Sequence, residues 1–244
     1  MNNQGQVTIF VILALVIVIF AAGYFVFFNS QAEKTPEINS DPIYTFVQDC
    51  LETASEKAVI NVGLGGGYFY SSPFSTEDGI AYYWLGNTTH LPSIETIEKE
   101  LSSGISKEVT NCIENVSFQN QEVYFEKINV TTKVQDENVL VLVDFPIEII
   151  SWEGSASQIK DFQTSVPVRM GLIYQFVKKF VSDDSKKEGV CLSCIYDFSK
   201  KNNLLIEMFD YPPKTVIFDI EDNQTKVGGK TFEFIFANDY SNGI

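Results

Sequence analysis

The segment KINVTTKVQDENVLVLVDFPIEII, Lys127–Ile150, decides how the chain is read. Apolar or β-branched residues recur at every second position on both sides of QDE. Two strands therefore meet at a short polar turn, a β-hairpin. The same period of two runs from Glu122 to Ser165, with a third strand in SQIKDFQTSV, Ser157–Val166. Further on, LLIEMFD (Leu204–Asp210), TVIFDIE (Thr215–Glu221) and KTFEFIF (Lys230–Phe236) read as three more strands. They are separated at YPPK and KVGGK, where Pro and Gly interrupt the pattern.

Outside these runs the period becomes helical. Asp41-Pro42 signals a helix start, with Asp as N-cap and Pro in the first turn. Ile43, Phe46, Val47, Cys50, Leu51, Ala54, Ala58 and Val62 then form one stripe. Pro92–Val116 is a second amphipathic helix, with Ile94, Ile97, Leu101, Ile105, Val109, Cys112 and Val116 on one face and Gly104 weakening its middle. Val168–Val181 and a short Val190–Lys200 complete the helices. Tyr68–Tyr70 and Ile80–Leu85 read as strands joined by SSPFSTEDG. Strands interleaved irregularly with helices favour an α+β fold with a mainly antiparallel sheet.

The run GLGGGYFY, Gly63–Tyr70, invites a phosphate-loop reading. Phosphate loops follow a strand and open a helix, so that backbone N–H groups face the anion. Here a helix enters the glycines and no Lys-Ser/Thr follows. The run reads as a helix C-cap, with glycines free to adopt positive φ.

The chain has 244 residues, with 32 acidic and 17 basic side chains and a net charge of −15. No charged side chain precedes Glu33, so the acidity belongs to the later part. Such a surface repels phosphate backbones, which argues against nucleic acid as a partner. With 45% hydrophobic residues and 20 Phe, the chain is not of disordered composition.

Val7–Phe28, VTIFVILALVIVIFAAGYFVFF, carries no charge. As a helix it would span about 33 Å, enough to cross a bilayer. The expected organisation is a short tail (1–6), a transmembrane helix in the lipid bilayer (7–28), a polar stalk NSQAEKTPEINS (29–40) and an extracytoplasmic α+β domain (41–244). Three features place the bulk of the chain outside the cell membrane. These are the acidic balance, the four cysteines and the Asn-X-Ser/Thr sequons at Asn87, Asn115, Asn129 and Asn223, which are candidate glycosylation sites.

The start, MNNQGQVTIF, resembles an archaeal prepilin-type (type IV pilin-type) signal, in which a short leader ends in Gly and an apolar helix follows. The resemblance implies a processing junction between Gly5 and Gln6 and self-assembly through the N-terminal helix. This leader lacks Lys and Arg, and Phe10 stands where many pilins carry Glu. GQVTIFVIL, the CLE…GLGGGY region and CLSC together resemble uncharacterised single-pass membrane proteins of small-genome archaea. That resemblance implies no activity.

Four cysteines allow three pairings. The expected one is Cys50–Cys112, from stripes of two helices that would pack together, with Cys191–Cys194 closed locally within CLSC. Two buried free thiols at Cys50 and Cys112 are the alternative. CLSC also admits a redox reading if Cys191 lies at a helix N-terminus, although no thioredoxin-like βαβ pattern surrounds it. A four-cysteine zinc site would require two close pairs, and only one is present.

No catalytic set or cofactor emerges. His90 is the only histidine and sits in a loop. No G-x-S-x-G elbow, HExxH or D-x-D-x-D-G is present. Asp183-Asp184 and Glu221-Asp222 read as solvated turns. Tyr68, Tyr70, Phe74, Tyr83 and Trp84 form the candidate binding surface, for a protein or glycan partner; filling of the core is their alternative role. The sequence thus points to an anchored, disulfide-containing cell-surface module with a binding or structural role. A pilin-like filament subunit and an anchored thiol-redox enzyme are the alternatives.

Overall fold

The hairpin at Gln135–Glu137 forms as expected, and the strand leaving it is the spine of one of two sheets. The computed structural model describes residues 41–114, 116–184 and 190–241. In chain order the elements are α1 (Asp41–Leu64), β1 (Tyr82–Leu85), β2 (Thr88–Thr89), α2 (Ile94–Ile113), β3 (Gln121–Phe125), β4 (Asn129–Val134), β5 (Asn138–Ser151) and β6 (Ala156–Pro167). Then follow α3 (Met170–Asp184), α4 (Leu192–Asn202), β7 (Leu205–Tyr211), β8 (Thr215–Val227) and β9 (Lys230–Asp239). The fold is α+β with mainly antiparallel sheets.

β5 pairs with β6 along one edge, while β4 and β3 lie end to end along the other. The break between β3 and β4 faces Pro146, which has no N–H to give the ladder. The β5–β6 register shifts at the same place, between Asp144 and Ile147, and Glu126 N donates to the Pro146 carbonyl at 3.0 Å. A proline is thus tolerated in a central strand because the ladder is already irregular there. Val139, Val141, Val143, Phe145, Ile147 and Ile149 are all buried on one face of β5, as the period of two requires.

The second sheet has the order β2-β1-β9-β8-β7. Its single parallel pair, β1 with β9, was not foreseen from sequence. β1 and β2 turn through Gly86-Asn87, both at positive φ, which matches the twist of a two-residue hairpin. Phe218, Ile220, Phe232, Phe234 and Phe236 are buried on its inner face.

α1 unites the layers by packing on α2, on β6 of the first sheet and on β9 of the second. Its expected stripe is buried from Ile43 to Val62 except for Phe46, which is half-buried. Small residues, Ala54, Ser55 and Ala58, line part of that face and let α2 approach closely. The Cys50–Cys112 disulfide joins the two helices, with Cα atoms 5.9 Å apart. Cys50 is buried. Cys112, expected on the apolar face, is exposed, so the bridge lies at the rim of the helix pair. α2 starts at Ile94, with Ser93 as N-cap accepting from Thr96 N at 3.2 Å.

The glycine run ends α1, though at Leu64 rather than Gly63. Gly66 and Gly67 take φ of 57° and 88°, as a C-cap requires. Gly63 serves another need: a Cβ there would strike the Phe232 ring and the Glu233 carbonyl. The strand expected at Tyr68–Tyr70 is absent. Phe69 N instead donates to Glu100 Oε2 at 3.0 Å, and the Phe69 ring fills the space left by Gly104 in α2.

Glu221-Asp222 is also corrected. β8 continues through it to Val227, and Asp222 is fully buried. Asp222 accepts from Arg169 Nε at 2.9 Å and Nη2 at 2.5 Å, from Gln224 N at 2.9 Å and from Thr225 Oγ1 at 2.6 Å. Arg169 Nη1 donates to the Asn202 carbonyl at 2.8 Å. One guanidinium therefore joins the start of α3, the end of α4 and the inner face of β8.

Among the described residues no helix is long and apolar enough to cross a membrane. The expected transmembrane helix (7–28), the stalk and the Gly5-Gln6 junction lie outside the described residues.

Candidate functional site: a cavity walled by a disulfide

A run of aromatic rings leads from the core to a cavity between α3 and α4. Tyr83 on β1, whose hydroxyl donates to the Gly66 carbonyl at 2.8 Å, stacks on Phe236 with centroids 4.8 Å apart. Phe236 stacks on Phe218 at 4.9 Å, and Phe218 meets Phe180 of α3 edge-on at 5.2 Å. Phe180 stacks on Phe176 at 5.7 Å, and Phe176 lies flat on Phe198 of α4 at 3.8 Å with an interplanar angle of 4°. That last pair forms the floor between α3 and α4.

Above it lies a cavity of about 530 Å³, within the range of small-molecule sites. Leu172, Phe176, Phe180 and Phe198 supply its apolar wall. Lys179 and Lys201, with Asp136 and Asp197, place both signs of charge around it. Asp136 is held by Gln175 Nε2 at 2.7 Å. Cys191 and Cys194 form the remaining wall, joined as a disulfide with Cα atoms 5.3 Å apart. Cys191 is the N-cap of α4 and Cys194 lies in its first turn. Asn202, at the other end of α4, is the residue whose carbonyl Arg169 holds. The ion pair thus fixes the helix that carries the cavity wall.

Arg169 and Asp222 stabilise each other's charged form. The Asp222 hydrogen bond holds the Arg169 guanidinium above its ordinary value. Burial alone would push the Asp222 carboxyl up, but hydrogen bonds from Arg169, Thr225 and Gln224 N outweigh it and hold the carboxyl below the usual range. The opposite case lies on the same strand. Asp219 is pushed up to about 6, first by burial and then by the carboxylates of Glu233, Glu221 and Glu207.

The five aromatics expected to form a binding surface differ in exposure. Tyr83 is fully buried in the core, with its hydroxyl held far above the usual phenol range by burial. Tyr68 and Trp84 are half-buried. Tyr70 and Phe74 are exposed: Lys107 Nζ lies 5.1 Å from the Tyr70 ring, and Phe74 packs on His90 at 3.9 Å. Asn87, Asn129 and Asn223 are exposed; Asn115 lies outside the described residues. Among the described residues no three of His, Cys, Asp and Glu are grouped to hold a metal ion.

Sequence reasoning missed the Arg169–Asp222 pair and the α3–α4 cavity. A signal existed for the first: Arg169 is the only arginine among 17 basic residues. Where lysine serves every exposed position, a solitary arginine marks a place that needs a planar fork of donors. Compared with protein-family models, curated proteins and solved structures, the chain matches none.

Proposed function

We propose that the chain is a single-pass, membrane-anchored cell-surface protein whose acidic, disulfide-containing domain faces outward and serves a binding or structural role. The observation that carries this reading is the pairing of all four cysteines at disulfide distance, with no free thiol left. Disulfides persist in oxidising compartments and are rare where thiols are kept reduced. The apolar segment at 7–28 supplies the anchor, and the exposed sequons at Asn87, Asn129 and Asn223 agree with an outer surface. The cavity between α3 and α4 supports a binding role, as do the exposed Tyr70 and Phe74 for contact to a protein or glycan. A membrane-impermeant amine label on intact cells tests the orientation. Exposed lysines such as Lys57 and Lys133 should be modified before lysis; label that appears only after lysis overturns the reading.

The prepilin-like Gly5-Gln6 junction favours a second reading, a pilin-like subunit that assembles through its N-terminal helix. Mass spectrometry of the mature chain separates the two. A mature N-terminus at Gln6 supports the filament subunit, and an intact Met1 removes it.

A further inference from the structure

We infer that the Cys191–Cys194 pair is a thiol–disulfide exchange centre that oxidises pairs of protein thiols, with an extended, cysteine-bearing polypeptide as its partner. The inference goes beyond the binding role and does not depend on which side of a membrane the domain occupies.

The contrast between the two disulfides motivates it. Cys50–Cys112 spans 62 residues and ties two helices; Cys191–Cys194 spans three and joins no two elements. Its placement is chemical rather than architectural. Cys191 occupies the N-cap position of an 11-residue helix without a side-chain capping bond in the disulfide form, and a thiolate released there would meet the first-turn N–H groups and the helix dipole. Ser193 Oγ lies 3.6 Å from Cys191 Sγ, near enough to donate to a sulfur anion. Both cysteines are part-exposed and wall the cavity. Leu192 and Tyr196, one turn apart on α4, are 62% and 63% exposed. Side chains four apart share a helix face, so these two form one exposed apolar patch on the same turns of α4 that carry the cysteines, open to an extended chain.

The exchange balances without a further oxidant. A substrate thiolate attacks Cys191 Sγ, the S–S bond breaks, and Cys194 leaves and takes up a proton. The second substrate thiolate then attacks its own chain's sulfur in the mixed disulfide, and Cys191 leaves as the thiolate that the helix N-terminus and Ser193 stabilise. The substrate loses two electrons and gains a disulfide; Cys191 and Cys194 gain two electrons. A low-molecular-weight disulfide regenerates the pair by the reverse exchange.

The test uses the full chain in detergent micelles, without oxygen, and a reduced peptide carrying two cysteines. One peptide disulfide should form per chain, with alkylation mapping two new thiols to Cys191 and Cys194 while Cys50–Cys112 stays closed. This arm requires no substitution, so no folding defect can confuse it. Cys194→Ala should then trap a disulfide-bearing peptide on Cys191 about tenfold faster than Cys191→Ala traps it on Cys194, since only Cys191 occupies the N-cap position of the helix. Leu192→Ser/Tyr196→Ser should lower the ratio of peptide to dithiothreitol exchange rates by about tenfold, the effect of losing a contact hot spot. A Cys191–Cys194 bond that stays closed in excess peptide overturns the proposal. Equal trapping by the two single variants, or an unchanged rate ratio, overturns the assigned attack site or the assigned partner respectively.

Discussion

The two helix pairs are held by opposite means. α1 and α2 share a buried apolar face and a covalent bridge, Cys50–Cys112, that closes a long stretch of chain. α3 and α4 share a cavity, a stacked Phe176–Phe198 pair and no bridge between them; their clamp is Arg169, which reaches Asp222 and the Asn202 carbonyl. The disulfide nearest that second pair lies wholly at the start of α4. Identical bonds therefore do unequal work. A disulfide stabilises in proportion to the logarithm of the loop it closes, so the bridge that spans 62 residues restrains the unfolded chain and the one that spans three hardly does. A buried ion pair acts differently, since it costs desolvation and returns geometry only while both partners remain.

The comparison breaks first at the clamp. Arg169→Met keeps much of the volume but leaves Asp222 buried and unpaired. It should cost about 3–5 kcal/mol at pH 7, measured by denaturant unfolding. The sign with pH follows from the lowered Asp222 pKa. The pair's contribution is complete above the unfolded value of 3.8 and is lost as pH falls through the still lower folded value. The deficit of the variant should therefore narrow in acid. A wild-type midpoint at pH 7 would remove the clamp from the account.

Opening the two disulfides separately is the next test. Cys50→Ala/Cys112→Ala should cost about 2–4 kcal/mol, towards the upper end because of its long loop. Cys191→Ala/Cys194→Ala should cost less than about 2 kcal/mol by the same reasoning. Equal losses in thermal unfolding would mean that the local bridge holds more than its own turn.

Gly104→Ala probes how tightly the α1–α2 side is packed. Helix propensity alone predicts a gain of about 1 kcal/mol. The new Cβ, however, would enter the Phe69 ring, and overpacking costs about 1–3 kcal/mol. A net loss of about 1 kcal/mol is expected, and a net gain would show that the Phe69 ring yields.

Much of this architecture was legible, and the reasons for the rest are specific. Strands β4 to β9 and helices α1 to α4 follow from period and turn residues. The cysteine pairing followed because Cys50 and Cys112 continued two apolar stripes. Tyr68–Tyr70 misled because an aromatic run resembles a strand, while its backbone finds Glu100 rather than a ladder. Asp222 misled because acidic residues beside Asn223 look like a turn; its partner Arg169 is 53 positions away, and no local pattern connects them. The cavity depends on how α3 and α4 cross, which no periodicity encodes. The parallel pairing of β1 with β9 is non-local in the same way.

The smallest effect sharpens the contrast on β8 itself, where two aspartates three residues apart face opposite ways. Asp222 points into the core and meets a cation. Asp219 lies half-buried on the other face, its Oδ1 buried without a hydrogen-bond partner, cross-strand from Glu207 and flanked by Glu221 and Glu233. Like charges across a sheet destabilise it, so Asp219→Asn should raise stability by about 1 kcal/mol at pH 7. The pH sign is opposite to that of Asp222. Asp219 titrates at about 6 folded against 3.8 unfolded, so its protonated form favours folding below 3.8, and that support is lost as pH rises through 6. The gain from Asp219→Asn should therefore shrink steadily from pH 7 to pH 4, and the penalty of Arg169→Met should narrow as well, because without Arg169 burial pushes the Asp222 carboxyl up and its protonation relieves the unpaired charge. Unfolding free energies of both variants across that range should show a stabilising effect and a destabilising effect that both diminish towards acid, if the strand's two faces carry the electrostatics described. A gain from Asp219→Asn that does not change with pH would mean that neither burial nor the neighbouring carboxylates raise Asp219 above its unfolded value.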